Sequence, residues 1–367
     1  MTTVLLGGDV MLGRGVDRIL PHPGNPALRE QYADDAQIYV ELAERAYGPF
    51  ARPVDFRWPW GDVLPLLARI RPEVRLLNLE TSITADGAFA PGKGVHYRMN
   101  PANLPVLTAI APVSCALANN HVLDFGIPGL IDTLEALDTA DIGHAGAGRN
   151  LDEAKTPVTV ELENGRRVVI VSVAVGSSGV PEAWAARRDR PGLWRVGDTP
   201  TASAAAEVAA HLLTYTHRDD VAIVSVHWGP NWGYGVARSE IQFAHGLIDA
   251  GVDLVHGHSA HHPRPIEIYR GKPILYGCGD VIDDYEGIRG HERYRTDLHL
   301  LYLVSVDLGV VQVRLVPLRI RHMCLEWASP SESRWLCDTI EYISRGFGTR
   351  VMLRPEDLPM IIAPTRG

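Results

Sequence analysis

The chain of 367 residues lacks any run of about 18 consecutive apolar residues, the length a bilayer-spanning helix needs, so no transmembrane helix is expected. Positive charge is also in short supply: 35 Lys and Arg stand against 44 Asp and Glu, a net charge of -9. That is the wrong balance for gripping a nucleic-acid backbone, which calls for a basic patch. Cysteine is scarce, and Cys115, Cys278, Cys324 and Cys337 show no CxxC spacing. A zinc ribbon and a disulfide framework are thereby excluded, and buried free thiols are expected, with Cys278 close enough to the motifs below to line a pocket. No repeat of roughly 20–50 residues and no low-complexity tract is present, so the chain is not a solenoid. The opening MTTVLLGGDV leaves no room for a charged n-region, an apolar h-region and a cleavage site before the first motif, and a cytoplasmic location is expected.

What is there is a globular composition, 46% hydrophobic and 22% charged, long enough for one elaborate domain or two ordinary ones. Up to about residue 150 strand-like and helix-like segments alternate, with an amphipathic helix predicted over Ile127 to Asp141 and Pro128 in its first turn. Beyond it, Asn164-Gly165 between two alternating apolar runs predicts a β-hairpin. Pro265 to Tyr269 with Pro273 to Tyr276, and Leu298 to Leu308 with Val310 to Ile320, predict two more. Helices are predicted at Thr201 to His217, Ser239 to Ala250 and Ser333 to Phe347. The pattern is that of an α/β chain with mixed sheets. One domain is expected over residues 1–330, with an insertion at about 21–60 and a C-terminal helix and tail, 331–367, packed on the same domain. The insertion is rich in Pro and in aromatics from Tyr32 to Trp60; these either pack it onto the domain or form a lid or substrate wall.

Metal-ligand residue types sit where apolar runs stop. Asp9 follows Thr3 to Gly8, Glu80 follows Val74 to Leu79, Asn120 and His121 follow Val113 to Ala118, His227 follows Val221 to Val226, and His256 follows Val252 to Val255. Ligand sites in open α/β sheets lie beyond the carboxyl ends of the strands, so five segments point at one edge. A pair of divalent cations about 3.5–4 Å apart clamps the attacking and leaving oxygens of a displacement, and such a pair needs a bridging carboxylate. Glu80 suits the bridge. Asp9, approached over the small Gly7-Gly8 backbone, suits a terminal ligand, and Asn120 offers an amide oxygen. His227, His258 and His261 offer imidazoles for Zn, Mn or Fe, and His121, outside the ligand set, suits protonation of a leaving group. The expected cofactor is two divalent metal ions, with single occupancy the alternative. The competing readings are a strand-end salt bridge for Glu80, turn capping by Asn119 and Asn120, a structural His227 and a His-rich loop without metal. Arg14 and Arg98 offer guanidinium groups to an anionic substrate or serve in ordinary salt bridges. Trp228, His256 and His262 complete the candidates for contacting substrate, His256 and His262 also being alternative or supporting ligands. Asp280 either orients a ligand histidine or caps its turn. Ser177, in Gly176-Ser177-Ser178-Gly179, has no base to make it a nucleophile and reads as a flexible rim.

Laid end to end, these stretches resemble the CapA family, named for capsule and poly-γ-glutamate synthesis and related to the calcineurin-like metallophosphoesterases. The resemblance rests on Gly8-Asp9-Val-Met-Leu-Gly-Arg14, Asn78-Leu79-Glu80, Leu117-Ala-Asn-Asn120-His121, Val226-His227-Trp228-Gly229, Gly257-His258 to Pro263, and Tyr276-Gly-Cys-Gly-Asp280. It implies a four-layer α/β/β/α sandwich. It further implies Asp9 and His261 on one metal, Glu80 as the bridge, Asn120, His227 and His258 on the other, and His121 as the acid. The chain departs from the superfamily pattern: Asp-x-His becomes Asp9-Val10-Met11, the bridging Asp becomes Glu80, and the closing Gly-His-x-His is one residue longer. The implied activity is a metal-dependent hydrolase, metal-activated water attacking a phosphoester or a γ-glutamyl or peptide amide of a small-molecule or polymer substrate with anionic groups. The rival is a non-catalytic or non-hydrolytic metal-binding partner in biosynthesis of such a polymer, a capsule or a small molecule.

Overall fold

The structure is a computed structural model that describes residues 2–307, 310–354 and 360–363. Its strands form where Val, Ile and Leu run without a polar alternate, because a parallel strand covered on both faces has no wet side; all seven residues of Val221–His227 are buried. In chain order the strands of the two main sheets are β1 (Thr2–Val10), β2 (Val74–Leu79), β3 (Ser114–Ala116), β4 (Gly143–Ala145), β5 (Val158–Glu161), β6 (Arg167–Ala174), β7 (Val221–His227) and β8 (Leu254–His258). They continue with β9 (Ile266–Tyr269), β10 (Lys272–Leu275), β11 (Asp280–Ile282), β12 (Leu298–Asp307), β13 (Val310–Arg321), β14 (Cys324–Trp327), β15 (Met352–Arg354) and β16 (Met360–Ala363). A ten-stranded sheet has the order β15-β16-β13-β12-β1-β2-β3-β4, with β11 beside β1 and β14 beside β13, and a six-stranded sheet has the order β5-β6-β7-β8-β10-β9. Both are mixed. Strands β11, β1, β2, β3 and β4 run parallel in the first, and β6, β7, β8 and β10 in the second.

Alternation along the strands sets the layers, since successive side chains face opposite sides. Leu6, Leu76 and Tyr302 of the larger sheet meet Ile170, Ile223 and Leu275 of the smaller one in a shared core. Their neighbours Leu5, Leu77 and Leu301 face outward onto α1 (Arg14–Ile19), α2 (Gln37–Tyr47), α3 (Val63–Ile70) and α4 (Gly126–Thr139). Val171, Val224 and Val255 face α5 (Ala202–Leu213) and α6 (Arg238–Asp249). Four layers, α/β/β/α, result. A further helix, α7 (Pro330–Ser344), starts on a capping box in which Ser329 and Glu332 satisfy each other's backbone N–H, and it adds Leu336, Cys337 and Ile340 to the inter-sheet core.

The four predicted helices are present as α4, α5, α6 and α7, and their ends shift for local reasons. Thr201, read as helical, is an N-cap whose side chain accepts from Ala204 N. The three hairpins form in the expected pairs; Leu308 and Gly309, at the turn of the last, lie outside the described residues, as do 355–359 and 364–367 of the predicted tail. The Pro-rich stretch folds into a small hairpin, Ala27–Glu30 with Ala33–Asp35, followed by α2 and a single turn at Trp58–Trp60. Trp60 and Tyr39 are buried, and Phe50, Phe56 and Trp58 pack on the core, whereas Tyr32 is 85% exposed. All four cysteines are free. Cys278 does not line a pocket: its side chain is fully buried in the inter-sheet core. Among the described residues no helix is long and apolar enough to cross a membrane.

Just beyond β11, the buried Glu286 accepts the backbone N–H of Met323 at 3.2 Å. Burial, reinforced by Asp283, pushes its carboxyl up to about 8. An acid whose folded pKa lies above its unfolded value stabilises the fold fully below the unfolded pKa, and that contribution is lost as pH rises through the folded one. Glu286→Gln, which keeps an oxygen acceptor, is therefore expected to unfold at a temperature that gains on the wild type between pH 5 and 9 by several degrees. Parallel thermal melts across that range check it; melting curves that shift together with pH would count against the assignment.

Candidate metal centre

Register brings the strand-end residues together. In the small sheet His227 and His258 are direct neighbours on parallel strands β7 and β8. In the large sheet Asp9 is opposite Asp280 of β11 on one side and Asn78 of β2 on the other. The pairing of β1 with β2 slips between Gly7 and Asp9, a bulge of the kind that re-aims a side chain. Gly8 makes room for the approach of β11: a Cβ there would lie 1.8 Å from Gly279 O. One sheet thus supplies carboxylates and the other imidazoles.

A short amide relay spaces the carboxylates. Asn78 Nδ2 donates to Asp9 Oδ1 and to Glu80 Oε2, both at 2.7 Å. Asn78 Oδ1 accepts from Asn119 Nδ2 at 3.0 Å, and Asn119 Oδ1 in turn accepts the backbone N–H groups of His121 and Val122. The turn that carries Asn120 and His121 is therefore tied to the two carboxylates through two buried amides. Opposite them, His227 Nδ1 and His258 Nδ1 face each other at 2.8 Å, lying 3.9 Å from Glu80 Oε2 and Asp9 Oδ1 respectively. His227 Nε2 is 3.0 Å from Asn120 Oδ1, and His258 Nε2 is 2.9 Å from Ser225 Oγ. His261 Nδ1 is 3.0 Å from Asp280 Oδ1.

Among the described residues, two groups of buried side chains present ligand atoms within 4.8 Å of one another: Asp9 with His227 and His258, and Asp9 with His261 and Asp280. Asp9 belongs to both. Asp9 Oδ2 and Asp280 Oδ2 are buried without a hydrogen-bond partner, which is costly unless something else satisfies them. Burial, then the neighbouring Asp280, pushes the Asp9 carboxyl up to about 7. Burial, then Asp9, raises Glu80, and burial, then Asp283, raises Asp280. Burial likewise holds His227 and His258 below the ordinary imidazole range. Three carboxylates facing neutral imidazoles lack positive charge at their centre, and mixed oxygen and nitrogen donors are what a divalent transition ion accepts. The residues present fit a bound metal.

His121 stands beside this group. Its Nε2 is 3.8 Å from Glu80 Oε1, and its Nδ1 is 2.6 Å from Asp124 Oδ2, so the Nδ1–H donates to Asp124 and Nε2 faces the carboxylates. Burial pushes His121 down to about 4. Asp124 also accepts from Lys93 Nζ and from Tyr97 N. Asp124 and Lys93 were not among the sequence-derived candidates, although the His121-x-x-Asp124 spacing within one turn was a readable signal for the first. Asn78 was readable too, since positions 78 and 80 share a strand face.

The polar groups of the other predicted residues are engaged elsewhere. The Arg14 guanidinium is spent on Asp284, Glu30 and Tyr39, the salt-bridge alternative. Trp228 is fully buried with its indole N–H donating to Tyr276 O. His256 joins the two sheets beneath the site, Nε2 to Gly7 O at 3.0 Å and Nδ1 to Ser225 Oγ at 3.1 Å. His262 Nε2 accepts from Gly233 N. Arg98 is half-buried over the Phe125 ring, 4.4 Å from its centre. Ser177 Oγ accepts from Gly229 N at 3.1 Å.

Known proteins share this chain's sequence over most of its length. A probable polyglutamine synthesis accessory protein of Mycobacterium tuberculosis is 57% identical over 365 residues, covering 99% of this chain and 96% of that protein. The PGA biosynthesis protein CapA of Bacillus subtilis is 26% identical over 297 residues, covering 80% of this chain and 66% of that one. Residues 3–285, which hold every member of the centre described above, match the family model for the bacterial capsule synthesis protein PGA_cap, and the chain belongs to that family.

Proposed function

We propose that this protein is a metal-dependent hydrolase of capsule or poly-glutamate metabolism, cleaving a phosphoester or a γ-glutamyl or peptide amide in a small molecule or polymer with anionic groups. The observation that carries the reading is the pair of buried, partnerless oxygens, Asp9 Oδ2 and Asp280 Oδ2, among imidazoles where parallel strands of two mixed sheets end. Asp9, His261 and Asp280 would hold one cation, and Asn120, His227 and His258 the other, with Glu80 between them. When bound, two such ions polarise a phosphoryl or carbonyl oxygen and make water nucleophilic near neutral pH. Asp280 then supplies a carboxylate where the superfamily pattern has the imidazole of Asp-x-His, which favours Mn over Zn at that position. His121, held by Asp124 through its Nδ1–H, presents a bare Nε2 that takes a proton from the attacking water and passes it to the leaving group. Burial of the carboxylates and imidazoles limits bulk water at their centre, while Asn120 is only half-buried.

The test joins metal analysis to turnover. Protein purified without chelator is expected to carry close to two equivalents of Mn, Fe or Zn and to turn over p-nitrophenyl phosphate, its diester or γ-glutamyl-p-nitroanilide. His121→Ala should retain the metal while losing about 100- to 10,000-fold in kcat, the range a positioned proton-transfer group contributes. A second reading, a metal-binding partner without catalysis, is favoured by one observation, the word accessory in the name of the mycobacterial relative. It prevails if the metal-loaded protein and His121→Ala behave alike on every substrate that is turned over.

A further inference from the structure

We infer that Lys93 is a positioning residue of this site and that the strap carrying it, Ala90 to Tyr97, holds His121 in its working orientation; the inference rests on the hydrolase reading above. The strap is glycine-rich, Ala90-Pro-Gly-Lys-Gly-Val-His-Tyr97, exposed in its middle and buried at both ends, with Gly92 in the left-handed region. It is wrapped around a single buried residue. Ala90 N donates to Asp124 O at 2.7 Å, Tyr97 N to Asp124 Oδ2 at 2.7 Å, and Lys93 Nζ to Asp124 Oδ1. Lys93 Nζ also donates to Asn120 O and lies 3.0 Å from His121 Nδ1. The Tyr97 ring packs edge-on against the His121 ring, with centroids 4.7 Å apart.

These contacts decide what His121 can do. An ammonium has donors and no acceptor, so Lys93 cannot receive the Nδ1–H, and Asp124 Oδ2 at 2.6 Å is the group that does. Lys93 meanwhile neutralises Asp124, which is fully buried and would otherwise carry an unbalanced charge. The tautomer with Nδ1–H toward Asp124 and Nε2 toward Glu80 is thus imposed by the strap. Lys93 does not serve as an anion anchor, because its donors are already directed at Asp124 Oδ1 and Asn120 O. The strap also reaches across the site: Lys93 Nζ lies 5.4 Å from the centre of the Trp184 ring, in the segment after β6. Only a seated strap gives a correctly pointed His121.

The experiment compares metal-loaded wild type, Lys93→Met and Lys93→Arg by metal content, by the His121 imidazole N–H signal in nitrogen-15 NMR, assigned with His121→Asn, and by kcat and KM on whichever nitrophenyl substrate is turned over. Lys93→Met is expected to keep its metal, lose the protected Nδ1–H signal and fall about 100-fold in kcat with KM little changed. Lys93→Arg should restore the signal and bring kcat back to within about tenfold of wild type. If Lys93→Met raises backbone hydrogen exchange of the strap while the imidazole signal and kcat stay as in wild type, Lys93 merely fastens the strap and the inference is overturned. If wild type turns over no substrate, the hydrolase reading fails, and the imidazole signal still decides: lost in Met and restored in Arg supports positioning, retained in Met overturns it.

Discussion

Glu80→Gln is expected to weaken divalent-metal binding by more than about 100-fold, the upper range for groups that merely support a ligand, and at the same time to raise the stability of the metal-free protein. The two effects have opposite sign for one physical reason. Glu80 is 1% exposed, shares the single Asn78 amide with Asp9, and faces His121 and His227 at 3.8 Å and 3.9 Å. Burial and then Asp9 hold its carboxyl well above the ordinary range, so without a cation its ionisation costs stability that is lost as pH rises. The isosteric amide removes that cost but offers no charge to a metal. Isothermal titration with Mn²⁺, and melts with and without chelator, measure both sides. In wild type, metal at 100 times its Kd adds about 2.7 kcal/mol, so chelator should lower the melting temperature; in the variant the same metal adds at most about 0.4 kcal/mol, and chelator should change little. Equal metal affinity in the two proteins would remove Glu80 from the ligand set.

Gly8→Ala is expected to be strongly destabilising. Its Cβ would sit 1.8 Å from Gly279 O and 3.0 Å from Gly279 C, backbone atoms with no rotamer to yield. Asp9 N donates to that same Gly279 O at 2.9 Å. Relief therefore requires β11 to move away from β1, separating Asp9 from Asp280 and breaking a pairing in the middle of the sheet. Overpacking of a rigid core costs about 1–3 kcal/mol and sometimes more, and here a lost backbone hydrogen bond adds to it. Denaturant unfolding should give a deficit at or beyond the upper end of that range, with metal affinity falling in parallel. An Ala variant as stable as wild type would mean that the two strands do not meet as described.

Asp9, Glu80 and His227 were legible because each follows an apolar run, and a carboxylate or imidazole at the end of a buried strand must be partnered by something, whereas His258 and His261 stood out by their closeness to His256, where another run ends. The helices were legible from their periodicity, and the hairpins from Asn164-Gly165 and from the paired runs on either side of residues 270–272 and of residue 309. The supporting residues were harder to see. Asn119 is an ordinary amide in the sequence, and its bond to Asn78 exists only because β2 and the turn after β3 are adjacent. Arg14 and Arg98 looked alike as cations, yet Arg14 is consumed by Asp284, which lies 270 positions away, a pairing no local pattern encodes. His256 and His258 differ by one alternation; His258 joins the Asp9 group while His256 reaches across to Gly7 O.

The sequence by itself determined which residues end buried strands, that the fold alternates strand and helix, and that carboxylates and imidazoles are available at one edge. These follow from local pattern, where side-chain periodicity and apolar runs act over a few residues. The tertiary structure alone decided that two sheets close their carboxyl ends on each other, that Asp280 stands opposite Asp9, and that Lys93 and Asp124 fix His121. Those outcomes depend on strand register and inter-sheet packing between segments tens to hundreds of residues apart, where the energy lies in contacts that no stretch of sequence contains.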